Sequence, residues 1–591
     1  MTLGKTDYLS FISYILMGSF LSISLLLNFW LPYSYYFSVV LLTLLLIFSF
    51  FKSDKSVFFI EIFIYYFLVN NIFNLSDKLS YLPFGDSYWE FGVLKYFSVS
   101  DSIFVIFDKS VNDVLTWYSS WPIIHTLTYY FSKVTFIPIY LSTYFVIFGL
   151  NIAVFFIIYS IIRKFDAGKD FNTKIFSIIM ILFISNPDSI FWRIQFVRQN
   201  YSMALFYLAV LILFNIIDKK SIGKKDYFMI IVVSLTAVLA HHFTSFVLLS
   251  YCVAIVILLL MTNNIKFLQF MWVENFTNRK FVDLSLIFSA MIAALYAWWA
   301  TYSKIIIAAV KWKINIFLST LFGEKDVTSY SPMVSYPVFL SNKIIIYFSL
   351  LRDALIYIFP VINVYFFIKY KIFNGKYVFV VYSILIFGAL FIFNVFVTKV
   401  EPYRILLFFI PFLLFIYVQN LVNIRNISKK YYSLICLVIV LVAVPASFIS
   451  VWGHFYYPAQ IYDPSIDKDI IGEHRSMSIS DSFFKSYIDP VNFKKYYTDS
   501  PGNLIFLMPP NEYAKILYLP SAKDLASVKV FTENSIVCEY RGLSGYWYYG
   551  GTYRLVDEIA EGEELAALKR EILYNSSMNV YSSGYYRYWM R

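Results

Sequence analysis

Two short stretches, Gly85-Asp-Ser-Tyr-Trp-Glu90 with its two carboxylates and Trp121-Pro-Ile-Ile-His125 with its imidazole, lie between two long apolar segments at 56–73 and 137–161. Because both flanking segments are apolar enough to enter a bilayer, they would hold residues 74–134 as a large loop against the membrane surface. Asp86 and Glu90 are four residues apart, so a helix here would place both carboxylates on one face, one turn apart.

Paired carboxylates at a lipid–water boundary suit two kinds of chemistry. One is proton abstraction as a general base, and the other is binding of a divalent cation such as Mg²⁺ or Mn²⁺ through Asp86 and Glu90. The alternative is a solvated amphipathic helix that carries two ordinary surface acids. Spacing alone does not separate these interpretations, so the positions of the other unusual polar residues become the deciding observation.

The composition predicts an α-helical polytopic membrane protein. The chain has 591 residues, of which 60% are hydrophobic and 14% charged, whereas a soluble domain carries about 25% charged residues. Apolar runs of about 20 residues, the length that crosses a bilayer, recur from Leu9 to Trp452. We predict about 13 spans, near residues 9–30, 33–51, 56–73, 137–161, 175–187, 200–217, 227–241, 243–261, 283–303, 343–368, 377–398, 403–420 and 431–452.

The positions of the basic residues predict the orientation in the plasma membrane. With a cytoplasmic N-terminus, nearly every compact Lys/Arg cluster falls in an inner loop, as the positive-inside rule requires. These clusters lie at 52–55, 163–174, 219–225, 266–280, 369–376 and 425–430. The net charge of +11 therefore comes from loops between spans, where Lys and Arg set the orientation among the membrane lipids, and gives no sign of a nucleic-acid partner.

From about Gly453 the long apolar runs cease, which divides the chain into a transmembrane domain at 1–452 and a tail at 453–591. An odd number of spans puts this tail outside the cytoplasm, where we predict a small soluble α+β domain. Its expected strands are 503–508, 527–531 and 579–582, and its expected helix is 557–573. The aromatic patch Tyr546-Trp-Tyr-Tyr-Gly-Gly551 could stack on sugar rings or simply fill a core.

The same alternation places a mixed set of carboxylates, imidazoles and guanidinium groups at the outer ends of spans. Arg198 opens the segment at 200–217 and Arg404 opens the one at 403–420, and each could hold a phosphate bidentately. Arg198 could instead be an interface anchor that snorkels towards the headgroups, and Arg404 could instead form a structural pair with Glu401. The remaining members of the set are Asp86, Glu90, His125, Arg193, His241, His242, Lys304, Lys311, Lys313 and Glu401.

The segment His241-His242-Phe-Thr-Ser245 separates two apolar runs with almost no loop. Neighbouring histidines point different ways on a helix, so they do not form the i, i+4 pair that chelates a metal ion. Binding of a phosphate or a sugar hydroxyl is one interpretation, and a pair of hydrogen-bonded structural histidines is the other.

Taken together, these segments resemble the multi-span GT-C-type membrane glycosyltransferases, in particular a large archaeal group. The resemblance rests on Asp86-x-x-x-Glu90, Arg198-Gln199, His241-His242-Phe-Thr-Ser245, Tyr403-Arg404 and the tail ending in Ile572-Leu-Tyr-Asn-Ser-Ser-Met-Asn-Val-Tyr581. The Arg-Gln and His segments also resemble those of polysaccharide polymerases that act at the outer membrane face.

The resemblance implies inverting transfer of a sugar from a polyprenyl-phosphate donor to a glycan or protein acceptor on the extracytoplasmic face. Asp86 matches the acid that serves as base, with Glu90 second, while Arg198, His241, His242 and Arg404 would bind the donor phosphate or sugar. The chain lacks the paired acids of many relatives and the Trp-Trp-Asp-Tyr-Gly motif of oligosaccharyltransferases, which leaves metal dependence open and argues against Asn-glycan transfer. A polymerase or ligase, and a lipid-linked glycan transporter, remain alternatives.

Overall fold

In the computed structural model, the described residues form mainly helices up to residue 455 and short strands beyond it. The described residues are 32–52, 55–76, 85–100, 119–165, 173–186, 196–219, 223–264, 278–302, 375–393, 403–455, Arg193, parts of 8–19 and of 351–358, and the strands given below. The helices are α1 Pro32–Lys52, α2 Lys55–Ser76, α3 Gly85–Ser100, α4 Ile123–Thr135, α5 Ile139–Phe165, α6 Thr173–Ile184, α7 Arg198–Asp218, α8 Lys224–Ala240, α9 His242–Asn264, α10 Asn278–Tyr302, α11 Gly375–Phe393, α12 Tyr403–Ile427 and α13 Lys429–Phe455.

The apolar segments predicted from the sequence are helical wherever the structure describes them fully, and most ends agree within a few residues. The segments at 9–30 and 343–368 lie largely outside the described residues. Two further helices, α3 and α4, fall inside the predicted outer loop at 74–134. The helix that would align Asp86 with Glu90 is therefore confirmed.

Five of the described helices are long and apolar enough to cross a membrane, judged by length and composition. They are Ile139–Lys164, Arg198–Ile217, Val282–Tyr302, Leu407–Ile427 and Lys429–Ser447. These helices support the prediction of a helical membrane protein. The 12-residue α6 rises only about 18 Å, well short of a hydrocarbon core of about 30 Å.

The helices divide into a central and a peripheral set. Of the most apolar 18-residue stretch of each helix, 72% is buried in α7 and in α12 but only 28% in α10. Every residue of α6 from Ile175 to Ile184 is buried. A helix that is apolar on all sides belongs inside a bundle. Aromatic contacts join the central helices, with the ring centroids of Phe206 on α7 and Phe408 on α12 4.7 Å apart.

The helix ends that carry the predicted inner basic clusters make hydrogen bonds of their own. Lys174, at the start of α6, donates to the Phe50 carbonyl near the end of α1. Lys219 lies 2.6 Å from Asp226 across the turn between α7 and α8, and the Asp226 carboxylate accepts from the Gly223 N–H at 3.1 Å. An acid that accepts from the first amides of a helix stabilises its N-terminus.

The described part of the tail contains strands. A five-stranded sheet has the order β2-β1-β3-β7-β6, and β4 pairs with β5 as an antiparallel hairpin. The strands are β1 Lys495–Thr498, β2 Ile516–Tyr518, β3 Ser535–Glu539, β4 Tyr546–Tyr549, β5 Thr552–Leu555, β6 Met578–Ser582 and β7 Arg587–Met590. The predicted strand at 579–582 is confirmed, the aromatic patch supplies β4, and the predicted strands at 503–508 and 527–531 and helix at 557–573 lie outside the described residues.

Candidate functional site

Glu90 lies on α3 and is almost completely buried, with 1% of its surface exposed. The interpretation of this residue as an ordinary surface acid is therefore wrong. At this point α3 is packed on more than one face. The Trp89 and Phe91 side chains on either side are also buried, and Ser87 accepts a hydrogen bond from the Phe196 N–H at 3.2 Å, which ties the start of α3 to the segment before α7.

Both oxygens of the Glu90 carboxylate accept hydrogen bonds from cationic or imidazole nitrogens. His125 on α4 donates from Nε2 to Oε2 at 2.7 Å, and Arg198 on α7 donates from Nε to Oε1 at 2.5 Å. All three side chains are buried. A buried carboxylate is stable only with such partners, because the desolvation of an unpaired charge costs several kcal/mol.

Arg198 is held inside the bundle rather than at its surface. Its guanidinium lies over the Trp121 ring, 4.9 Å from the centroid, and the residue is 4% exposed. A snorkelling anchor would extend towards the headgroups, so that interpretation does not fit. A phosphate bound at Arg198 would share the guanidinium with Glu90.

The two histidines adjoin this cluster through the same tryptophan. The ring centroids of Trp121 and His242 are 4.8 Å apart, and those of His242 and His241 are 4.5 Å apart. His241 has an extended backbone at the end of α8 and His242 begins α9. The predicted break without a loop is confirmed, and it brings both imidazoles beside the first turn of α7.

Two buried hydroxyl groups, one on α9 and one on α7, continue this series of contacts from His241. His241 Nδ1 lies 3.2 Å from Thr244 Oγ1, which lies 2.8 Å from Ser202 Oγ. Ser202 in turn donates to the Gln199 carbonyl at 3.0 Å. The contacts Arg198–Trp121–His242–His241–Thr244–Ser202 thus leave α7 at Arg198 and return to it at Ser202.

We expect the Ser202–Thr244 contact to be energetically coupled. Ser202→Ala and Thr244→Val should each lower the free energy of unfolding by about 1 kcal/mol, and the double variant should cost less than their sum by about 0.5–1.5 kcal/mol. The measurement is a double-mutant cycle. It compares the free energies of unfolding of the wild type, the two single variants and the double variant, each obtained from detergent-induced unfolding. Thr236→Val, which removes a hydroxyl bonded only to the Val232 carbonyl on α8, is the matched control and should show no coupling to Ser202→Ala. Additive effects at Ser202 and Thr244 would contradict the contact.

Of the residues predicted for the site, four come together and two are placed by their backbone alone. Glu90, Arg198, His241 and His242 join through the contacts above. Asp86 lies in the first turn of α3, one turn before Glu90, and Arg404 lies in the first turn of α12, but their side chains are outside the described residues. Three residues after Arg404, the Leu407 carbonyl accepts from Tyr207 Oη on α7 at 3.3 Å, which packs the beginning of α12 against α7.

The described side chains do not assemble a metal centre. No three His, Cys, Asp or Glu side chains among them lie close enough to share an ion. Glu90 in particular offers no free oxygen, since both accept from nitrogen donors. A divalent cation at Asp86 and Glu90 would therefore share a Glu90 oxygen with one of these donors or displace it.

Sequence reasoning missed the partners that make the cluster. His125 and Trp121 were part of the stretch at 121–125 but had no assigned role. Gln199 appeared only in the Arg198-Gln199 motif. A second cluster adjoins the first: buried Arg193 lies 4.4 Å from the Phe183 ring centroid, and its carbonyl accepts from Asn151 and Asn200 at 3.3 and 3.2 Å. The sequence signal was Gln199 and Asn200, two amides that directly follow Arg198 at the start of a predicted span.

Glu61 was also missed, although a lone acid inside the apolar segment at 56–73 is a sequence signal in itself. It is completely buried near the start of α2. Its carboxylate accepts from the Ser49 hydroxyl on α1 at 2.9 Å. The contact joins α1 and α2 at the end of the bundle that carries Lys52 and Lys55.

The fold and the site define a class: a helical membrane protein with a buried ionic cluster where α3, α4, α7 and α9 meet. No family model matches the chain, and comparison with curated proteins gives no match either.

Proposed function

We propose that the chain is an integral membrane glycosyltransferase of the GT-C type. It would transfer a sugar, with inversion, from a polyprenyl-phosphate donor to a glycan or protein acceptor on the extracytoplasmic face of the plasma membrane. The observation that carries the proposal is the contact chain from Glu90 through Arg198 and Trp121 to His242. It gathers polar residues from three distant parts of the sequence into one buried cluster.

The proposed topology follows from the positive-inside rule. About 13 spans with a cytoplasmic N-terminus put the ends of α3, α4, α7 and α9 that bear the cluster on the outer side, and with them the start of α12 and, as an α+β domain, the tail at 453–591. This topology is supported by the different residues found at opposite ends of the helices. Lys174 and the Lys219–Asp226 pair lie at helix ends of the predicted inner side, whereas Arg198 and the two histidines lie at ends of the opposite side.

In the proposed reaction the acceptor hydroxyl oxygen forms a bond to the anomeric carbon while the bond from that carbon to the phosphate oxygen breaks. Asp86 takes the hydroxyl proton as general base. The electron pair leaves with the polyprenyl phosphate, whose charge Arg198, Arg404, His241 and His242 stabilise in a low-dielectric site. A Mg²⁺ or Mn²⁺ ion, if the reaction uses one, would bind through Asp86.

Glu90 has a supporting role in this scheme. Its carboxylate holds the Arg198 guanidinium against Trp121 and orients His125 at the same time. Residues held by several contacts keep a reactive geometry without reorganisation during the reaction. Glu90 therefore positions the cation that meets the leaving phosphate, one helical turn from the base.

The experiment is transfer of a radiolabelled sugar by the purified protein in lipid nanodiscs, from a panel of polyprenyl-phosphate sugars to glycan and peptide acceptors. We expect transfer of single sugars by the wild type. Products of many units from lipid-linked oligosaccharides would instead indicate a polymerase. Flux of the lipid across vesicles with no glycosylated product would indicate a transporter, and folded protein inactive with every donor would contradict the proposal.

A further inference from the structure

Gln199 lies in the first turn of α7. Neither the oxygen nor the nitrogen of its side-chain amide has a hydrogen-bond partner among the described residues. Both Oε1 and Nε2 are fully buried, and the residue as a whole is 3% exposed. Buried amides are nearly always hydrogen-bonded, so an exception needs a physical reason. Its own backbone is engaged, because the Gln199 carbonyl accepts from Ser202.

A second unfilled position lies close by. His125 donates from Nε2 to Glu90, but its Nδ1 is buried and has no partner within the described part of the chain. Arg198, which precedes Gln199, bonds the same carboxylate. Unused hydrogen-bonding capacity therefore occurs, among the described residues, next to both members of the Glu90–Arg198 pair.

The chemistry of an amide restricts what can fill the position. A phosphate group only accepts hydrogen bonds, so it would satisfy Nε2 and leave Oε1 buried and unpaired. A sugar hydroxyl donates and accepts, and an acetamido group offers one N–H and one C=O that match both ends of a glutamine. A neutral sugar group is the better complement.

We propose that Gln199 is the residue that recognises the sugar of the donor, through a ring hydroxyl or an acetamido substituent. This inference rests on the proposed function, in which Arg198 meets the phosphate to which that sugar is directly bonded. Because neighbouring residues on a helix point in different directions, Arg198 and Gln199 then contact different parts of one ligand from the first turn of α7. Arg198 binds the charge common to all polyprenyl phosphates, and Gln199 selects among the sugars.

The test compares binding of three lipids: a polyprenyl-phosphate hexose, a polyprenyl-phosphate N-acetylhexosamine and the bare polyprenyl phosphate. Dissociation constants are measured in nanodiscs for the wild type and for Gln199→Met, an apolar replacement of similar shape. We expect the wild type to bind one sugar-linked lipid about tenfold more tightly than the bare lipid. Gln199→Met should bind all three alike, with the bare-lipid affinity of the wild type.

A second readout separates recognition from a structural role. Removing an unpaired buried amide should raise the thermal unfolding midpoint of the ligand-free protein, whereas loss of a structural hydrogen bond would lower it. Gln199→Leu repeats the test if the Met variant folds poorly. Ser234→Ala is the matched control, because it removes a buried hydroxyl without a partner on α8 and should leave the sugar preference intact.

The outcomes distinguish this inference from the function on which it rests. A sugar preference that survives in Gln199→Met, or equal binding of all three lipids by the wild type, would overturn the role of Gln199 alone. Failure of the wild type to bind any of the three would overturn both.

Discussion

Glu90→Gln is expected to lower the free energy of unfolding by about 3–5 kcal/mol, the usual cost of removing one partner from a buried ion pair. The amide keeps the shape of the carboxylate but cannot balance the charge of Arg198, and its NH₂ group faces a nitrogen donor on one side. Because Glu90 bonds both His125 and Arg198, one substitution weakens two contacts. The measurement is the shift in the midpoint of detergent-induced unfolding.

Asp226→Asn is the matched control, since it makes the same chemical change in an ion pair at the surface. Lys219, its partner, is about half exposed, with 49% of its side chain accessible, and such pairs contribute about 0.2–1 kcal/mol. A Glu90→Gln variant no less stable than Asp226→Asn would mean that the Glu90 cluster is hydrated or that its side chains are arranged differently.

Asp86→Asn is expected to lower the rate of sugar transfer by about 10²–10⁴-fold, the range that a positioned general base contributes. The amide can still accept a hydrogen bond from the acceptor hydroxyl but cannot take its proton. The measurement is the initial rate with labelled donor, normalised to the fraction of folded protein.

Asp86→Glu is the companion variant, because it keeps the carboxylate and displaces it by about one methylene. It should retain more activity than Asp86→Asn. If the Asn variant transfers sugar at the wild-type rate, Asp86 is not the base. His125, whose Nδ1 is buried and without a partner among the described residues, would then be the next group to test.

The helices were predictable because the bilayer imposes a simple rule on the sequence. A segment that crosses a membrane must be apolar for about 20 residues, and α1, α5 and α13 each follow the predicted segments closely. The break at His241-His242 was predictable for the same reason, since two polar rings interrupt an otherwise continuous apolar run. Local patterns such as these need no knowledge of which helices are neighbours.

The arrangement of the site was not predictable, because it depends on contacts between residues far apart in the chain. Nothing local indicates that Glu90 pairs with Arg198, which lies 108 residues further along, or that Trp121 separates Arg198 from His242. Spacing on one helix left Glu90 with two interpretations. Only the packing of α3 against α4 and the start of α7 buries it, and burial decides that this acid is a charge partner rather than a surface group.

The most direct measurement is an experimental structure of the protein in nanodiscs with a polyprenyl-phosphate sugar bound. We expect phosphate density within hydrogen-bonding distance of Arg198 or the two histidines, and the sugar beside Gln199 and Asp86. A lipid-linked sugar bound elsewhere, with the Glu90–Arg198–His242 cluster closed and empty of ligand, would contradict the assignment of this cluster as the site of transfer.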